Sequence, residues 1–274
     1  MEALLAPLLV GGLLLGNGAQ AQGGRAADVS PPVAQDQRVG TGGLSSVGRA
    51  AAQVEGFLYS PAYELDDALR DPAAPFTPQP GDIFLSTTRP FVAIAGHRLA
   101  LTGPPHHSGI LVALPDGRVA LLESGPFNGL WVGIVDLTYA LQEHERRGEK
   151  LWIRRRKTPL TPEQSAELTR WAMAQEGKPF AWGRLLLQLT PFRNRGPLRT
   201  YWAGTPNGER SSYFCSELVM ETCVHVGLLD AKETRPSATY PRDLFFDRSV
   251  NPYLNEHLKL AEGWYPPARW VSRP

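Results

Sequence analysis

Between Gly81 and Arg155 the chain alternates short apolar runs with clusters of Gly, Pro and Asp. This pattern predicts strands at Asp82–Leu85, His107–Leu114, Arg118–Glu123, Leu130–Val135 and Leu151–Arg155. Pro115-Asp116-Gly117 fits a three-residue hairpin loop whose glycine takes the left-handed position. Closing Leu114 against Arg118 then sets the register. Position 109 faces Glu123, so His107 and Glu123 fall on one face of the hairpin as diagonal neighbours, about 7–8 Å apart between backbones. An apolar strand that ends in a carboxylate is unusual, because acids are depleted in strands and rarely buried unpaired. An imidazole partner accounts for it. His106 is an equally near competitor, and strand parity with Glu123 favours His107.

Beyond the strands the period changes to that of helices. Thr161-Pro162-Glu163-Gln164 carries a cap, a first-turn proline and an early acid, and predicts a helix that stops before Gly177. A short helix is expected around Trp182–Leu189, a polar Arg, Gly and Pro-rich loop from Pro191 to Ser211, and another helix from Cys215 to about Val226. Leu218, Val219, Thr222, Cys223 and Val226 recur at three-to-four spacing on that last helix, so one face packs on the core. A further short helix is expected over Val47–Tyr59, then a Pro-interrupted connection to Pro80 and, at the far end, a Pro and aromatic-rich tail. Strands first with helices flanking them predict an α+β domain built on an antiparallel sheet.

The N-terminus has a different character. Leu4 to Leu15 is almost wholly apolar and Ala19-Gln20-Ala21 supplies a small-x-small cleavage pattern, which predicts an export signal over residues 1–21. The apolar stretch is short for the roughly 20 residues of a membrane span, which favours a cleaved signal over a retained anchor. No Lys or Arg precedes it, a departure from the usual basic start. Residues 22–49 are Gly, Ala, Ser, Pro and Gln rich and read as a flexible tether, leaving 50–274 as the folded domain. The expected location is therefore the periplasm, cell envelope or exterior.

Composition narrows the function. With 42% hydrophobic and 20% charged residues the chain is an ordinary globular one, and its net charge of +1 gives no reason to expect a nucleic-acid partner. The two cysteines, Cys215 and Cys223, share one predicted helix and stand roughly 12 Å apart along it, so they cannot bridge each other. Cys215 falls at the helix start, where free main-chain N–H groups and the positive dipole end stabilise a thiolate and can receive an oxyanion. Cys223 sits on the apolar face and reads as a core residue. Glu143-His144-Glu145 contains metal-ligating types, but adjacent residues do not converge on one ion and no CxxC or HExxH pattern exists, so no metal and no cofactor are expected. Arg154-Arg155-Arg156-Lys157 reads as a solvated strand edge, with association to an anionic lipid or polymer surface left open.

Four segments in order, Gly81-Asp82-Ile83, His107-Ser108-Gly109-Ile110, Leu122-Glu123-Ser124 and Phe214-Cys215-Ser216-Glu217-Leu218-Val219, resemble the permuted, YiiX/YaeF-like branch of the NlpC-type papain-like hydrolases. Gly177-Lys178-Pro179-Phe180 and Tyr240-Pro241-Arg242-Asp243-Leu244 extend the likeness, which covers roughly residues 78 to 246. The order is the distinctive part: His and its partner precede Cys, the reverse of ordinary papain-like enzymes. Phe180-Ala181 stands where that family commonly has Tyr-Asp, and the loop before the Cys helix is longer. The resemblance implies a circularly permuted papain-like fold with the nucleophile at a helix N-terminus, Cys215 as nucleophile, His107 as base, Glu123 as orienting acid and the Cys215 main-chain N–H in the oxyanion site.

Tyr213 and Ser216 are further oxyanion or substrate candidates, and Arg193, Trp202 and Arg210 of the preceding loop are expected to cover the site and select substrate. The reaction expected is acyl transfer to Cys215 and hydrolysis of the thioester, on an amide bond of a peptide, isopeptide or cell-wall peptide, by a monomer. The alternatives are a lipid ester or thioester hydrolase or acyltransferase on the same scaffold, and a non-catalytic envelope binding module.

Overall fold

The computed structural model describes residues 55–59, 73–89, 94, 97, 98, 102–125, 129–187, 207–249, 255 and 257–273. The export signal and tether lie outside them. The chain divides into two compact units, Met1–Gly48 and Arg49–Pro274, and every described residue belongs to the second.

That unit is α+β. Its strands are β1 (Phe57–Tyr59), β2 (Ala73–Pro75), β3 (Ile83–Ser86), β4 (His107–Ala113), β5 (Val119–Gly125), β6 (Trp131–Asp136), β7 (Leu151–Arg154) and β8 (Ala268–Val271). They form one sheet in the order β2-β1-β8-β7-β3-β4-β5-β6, and each pairing is antiparallel. The helices are α1 (Leu137–Arg146), α2 (Pro162–Gln175), α3 (Trp182–Leu187), α4 (Cys215–His225), α5 (Pro241–Phe246) and α6 (Leu260–Gly263). Among the described residues no helix is long and apolar enough to cross a membrane.

Both faces of the sheet are covered, which explains why its central strands are apolar throughout rather than alternating. Ile83, Leu85, Ile110, Val112, Ala120, Leu122 and Trp152 point to a core shared with α2 and α4. Phe84, Leu111, Leu121, Leu151 and Ile153 point to the opposite core, shared with α1. The strand period of two thus sorts neighbours into separate layers.

The hairpin closes as its turn residues dictate. Leu114 N–H donates to the Arg118 carbonyl at 2.7 Å, Gly117 takes φ +86°, and Gly109 lies opposite Glu123. The start of α2 also has the expected form, a reciprocal capping box between Thr161 and Gln164.

The two ends of the domain depart from expectation. Phe57–Tyr59 is a strand, not the end of a helix, because it pairs with β8 and β2. The Pro-rich connection contributes β2, and the aromatic tail contributes β8, which closes on β7. These strands are three or four residues long, and the pairing of β1 with β8 joins positions roughly 200 apart, so no local pattern marks them. No element is expected over α1, whose mixture of Glu, His and Arg hides an inward stripe of Leu137, Ala140, Leu141 and His144 at helical spacing.

Gly109 holds β4 and β5 together at the register that serves the site. A Cβ there would stand 2.9 Å from the Leu122 carbonyl oxygen and 2.7 Å from Leu121 Cδ1, and the first of these is backbone and cannot step aside. Gly109→Ala is therefore expected to destabilise the chain by about 2 kcal/mol, in the range of overpacked cores. Urea unfolding measures this, and an unchanged midpoint would show that the hairpin has slack.

Candidate active site

Strand β4 opens with His107, and β5 carries Glu123 on the same face. The register that sets Gly109 opposite Glu123 sets His107 across from Gly125, and the carboxylate reaches diagonally to the ring. His107 Nε2 and Glu123 Oε2 are 2.7 Å apart, with the side chains 8% and 0% exposed. Gly125 makes room for the imidazole, since a Cβ there would stand 2.5 Å from His107 Cε1. Cys215 is the first residue of α4, which packs on the opposite layer, and its thiol lies near enough to the His107 imidazole to help hold the ring's proton. The N-cap of α4, Phe214, supplies no side-chain hydrogen bond, so no side chain occupies the first-turn amides from that position.

Electrostatics follow from this arrangement. Burial alone would push the His107 imidazolium down, but the Glu123 carboxylate and the hydrogen-bonded Cys215 more than reverse it and carry the group up to about 10. Cys223 is fully buried without comparable partners, and burial pushes its thiol up to about 12. The two cysteines therefore differ in the way the sequence suggests: one faces an imidazole and the other faces the core.

Other expected site residues sort differently. His106 turns away, its Nδ1 accepting from Thr88 N–H at 3.2 Å and its ring lying 4.9 Å from that of His97. Ser216 is fully buried and its hydroxyl donates to the Thr239 carbonyl at 2.6 Å, so it braces α4 rather than meeting a substrate. Tyr213 is fully buried as well. Its hydroxyl accepts from Arg210 N–H at 2.8 Å and its carbonyl accepts from Ser124 Oγ at 2.8 Å, which makes it a strut beneath the start of α4.

Arg193 and Trp202 lie outside the described residues. Arg210, expected to face substrate, instead faces Glu217 at 3.2 Å and Glu221 at 3.6 Å. Arg184 holds Glu217 from the other side, with Nη2 to Oε2 at 2.9 Å. Glu217 and Glu221 are four apart on α4, one inward face, and that spacing is the signal that could have found these anchoring arginines.

Sequence reasoning also missed His144. Its helix turns Glu143 outward to Arg146 and Arg147 while His144 goes inward, 1% exposed, with Nδ1 at 2.5 Å from Glu149 Oε2. Among the described residues His107, Glu123 and His144 form one set whose ligating atoms lie within 4.8 Å of one another. The 2.7 Å separation of His107 Nε2 and Glu123 Oε2 is that of a hydrogen bond. Two ligands sharing a tetrahedral zinc at about 2.0–2.2 Å would stand roughly 3.4 Å apart, so an ion could enter only by breaking the pair. The residues as arranged fit proton transfer better than coordination.

The comparisons add little. No family model matches the chain, and no curated protein does. Among solved structures a similar one is the crystal structure of the metalloprotein yiiX from Escherichia coli O157:H7, 23% identical with a TM-score of 0.38, covering 55% of this chain and 67% of that chain.

Two expectations follow from the geometry. Gly125→Ala should displace the His107 ring from Glu123 and lower turnover on the order of 100-fold, as a misplacement of about 1 Å does, with a melting temperature lowered no further than by His107→Gln, which loses the same pair. A melting temperature well below that of His107→Gln would show a general packing defect. Because the His107 value is raised above its ordinary one, the pair's stabilisation is full below about 6.5 and is lost as pH rises through about 10. The melting-temperature gap between wild type and His107→Gln should narrow over that window, and a gap that widens would reverse the assignment.

Proposed function

We propose that the chain is a cysteine hydrolase that cleaves an amide bond, in a peptide, isopeptide or cell-wall peptide, through an acyl-enzyme on Cys215. The buried His107–Glu123 pair carries this reading. Glu123 engages Nε2 and leaves Nδ1 for the thiol, so the ring is held in the tautomer and orientation a general base needs. His107 takes the thiol proton, Cys215 Sγ attacks the carbonyl carbon, and the tetrahedral oxyanion is received by main-chain N–H groups at the start of α4. Collapse expels the amine, which takes the proton from His107. A water, deprotonated by the same ring, then attacks the thioester, releasing the acid and restoring the thiol.

The order His107, Glu123, Cys215 along the chain supports a permuted papain-like arrangement of the NlpC type. Export to the envelope is the accompanying proposal and rests on Ala19-Gln20-Ala21 and the apolar run before it.

One observation favours a second reading, hydrolysis of a lipid ester or thioester. Leu130, Trp131 and Trp182 are 39%, 49% and 53% exposed, and they converge beside the site. Trp131 lies opposite Gly125, Phe180 N–H donates to the Leu130 carbonyl at 2.8 Å, and the Phe180 and Trp182 rings are 4.9 Å apart. Large apolar groups gathered at a catalytic rim suit an aliphatic chain.

Iodoacetamide labelling across pH 5–9, followed by peptide mass analysis, tests the reading. Label is expected on Cys215 at pH 6–7, where ordinary thiols of pKa about 8.5 are mostly protonated, and not on Cys223. His107→Gln should slow the neutral-pH rate at least tenfold. Unlabelled Cys215, or labelling indifferent to His107, would leave a binding module instead. Turnover of p-nitrophenyl esters of rising chain length against peptide anilides then separates the two substrate classes.

A further inference from the structure

His107 is reached from both layers of the fold: Cys215 meets it from α4, and His144 of α1 meets it from the other face. The rings of His144 and His107 stack, with centroids 5.9 Å apart and planes inclined at 25°. His144 is anchored at Nδ1 by Glu149, itself buried, at the turn into β7. Phe84 of β3 closes the cluster, 4.8 Å from the His144 ring and 6.3 Å from that of His107. Glu123 Oε1 is buried and has no hydrogen-bond partner among the described residues, and a His144 ring nitrogen lies within 4.8 Å of the Glu123 and His107 ligating atoms.

Packing alone gives no reason for this chemistry. A buried imidazole and carboxylate lose hydration that several kcal/mol of pairing must offset, and an apolar pair of the same volume would serve the core at least as well. The pair stands where it can fix one ring, the base.

We propose that His144, anchored by Glu149, is a positioning residue for the catalytic base. It backs the His107 imidazole on the side away from Cys215 and keeps its edge in line with Glu123. The proposal rests on the Cys215–His107–Glu123 reading above. A carboxylate on Nδ1 locks the His144 ring as second-layer carboxylates lock other functional histidines, and the stacked ring limits rotation of His107 about its χ2.

The groups facing His144 are His107 from β4, Glu123 from β5 and Glu149 from the turn into β7, and His106 shares the field of Glu149. Burial lowers the His144 value, against the pull of Glu149, which favours the neutral ring beside a protonated His107. Protonating His144 in acid would set a second positive ring against the first and weaken the base, adding one protonation to the acid limb.

The test uses the full chain and three variants, His144→Phe, Glu149→Ala and Glu149→Gln. It reads the iodoacetamide rate at Cys215 from pH 4.5 to 9, kcat and KM on p-nitrophenyl acetate, and melting temperature. His144→Phe keeps the ring volume and the contact with Phe84 but has nothing for Glu149 to hold. It is expected to lower kcat and the neutral-pH labelling rate on the order of tenfold with KM unchanged, and to make the acid limb shallower by one proton. Glu149→Ala should fall equally, and Glu149→Gln, whose amide oxygen still accepts from Nδ1, should recover most of the difference. If His144→Phe keeps the wild-type rate and acid limb, or if Glu149→Gln falls as far as Glu149→Ala, the proposal is wrong even where the variants fold well. If instead His107→Gln leaves labelling unchanged, the catalytic reading itself has failed and the role of His144 fails with it.

Discussion

The constraint on which the rest depends is a carboxylate and an imidazole held 2.7 Å apart with almost no access to water. Removing either ion from water is unfavourable by several kcal/mol, and the interaction offsets this only if geometry is kept. The neighbourhood supplies that geometry with backbone rather than flexible side chains. Gly109 lets β4 and β5 approach, Gly125 leaves the volume that the His107 ring fills, and the Pro115-Asp116-Gly117 turn fixes which residues oppose which. A shift of one residue in this hairpin would move His107 and Glu123 to the other face and into the apolar core shared with α2 and α4. The register is thus specified twice, by the apolar residues of both faces and by the ion pair.

This also explains which parts were legible from sequence. The hairpin was, because turn chemistry and a period of two are local signals and the parity of positions 107 and 123 follows from counting. Cys215 at a helix start was, because the apolar spacing of Leu218, Val219 and Cys223 marks the helix downstream of it. Tyr213 and Ser216 were not, since nothing local tells a hydroxyl that braces the backbone from one that meets a substrate; only their carbonyl and amide partners at Thr239 and Arg210 decide it. Strands β1 and β8 were not, because their pairing joins opposite ends of the chain. His144 lay in between. Its stripe with Leu137, Ala140 and Leu141 was readable as an inward face, but the flanking Glu143 and Glu145 drew attention to a metal-like triplet that helical geometry scatters in three directions.

The anchoring of α4 shows how Cys215 is kept in place without being constrained itself. Glu217 and Glu221 project from the first and second turns to Arg184 and Arg210, and Ser216 ties the first turn to Thr239. Arg184 also donates to the Ser212 carbonyl, and Tyr213 receives Ser124 from β5. The helix start is therefore fixed through the residues on either side of Cys215 and not through the thiol. Phe214 at the N-cap fits this division: a Ser or Asp there would occupy first-turn amides that an oxyanion would otherwise receive.

The direction from which each group reaches His107 has a further physical consequence. A ring at the end of a strand can rotate out of line with its carboxylate unless both of its faces are bounded. Gly125 bounds one edge, Phe84 and His144 close the side of the α1 layer, and Cys215 comes from the α4 layer. The α1 side bounds the ring with two further rings, so rigidity comes from that side. That α1 begins with no intervening residue after β6, with Asp136 as both the last residue of the strand and the cap of the helix, makes the layer short-jointed and stiff. The surroundings of the His107 ring are therefore built by the part of the chain that ends at Glu149, before α4 is reached, and the order His107, Glu123, Cys215 lets one block assemble the buried pair and a later helix bring the thiol to it.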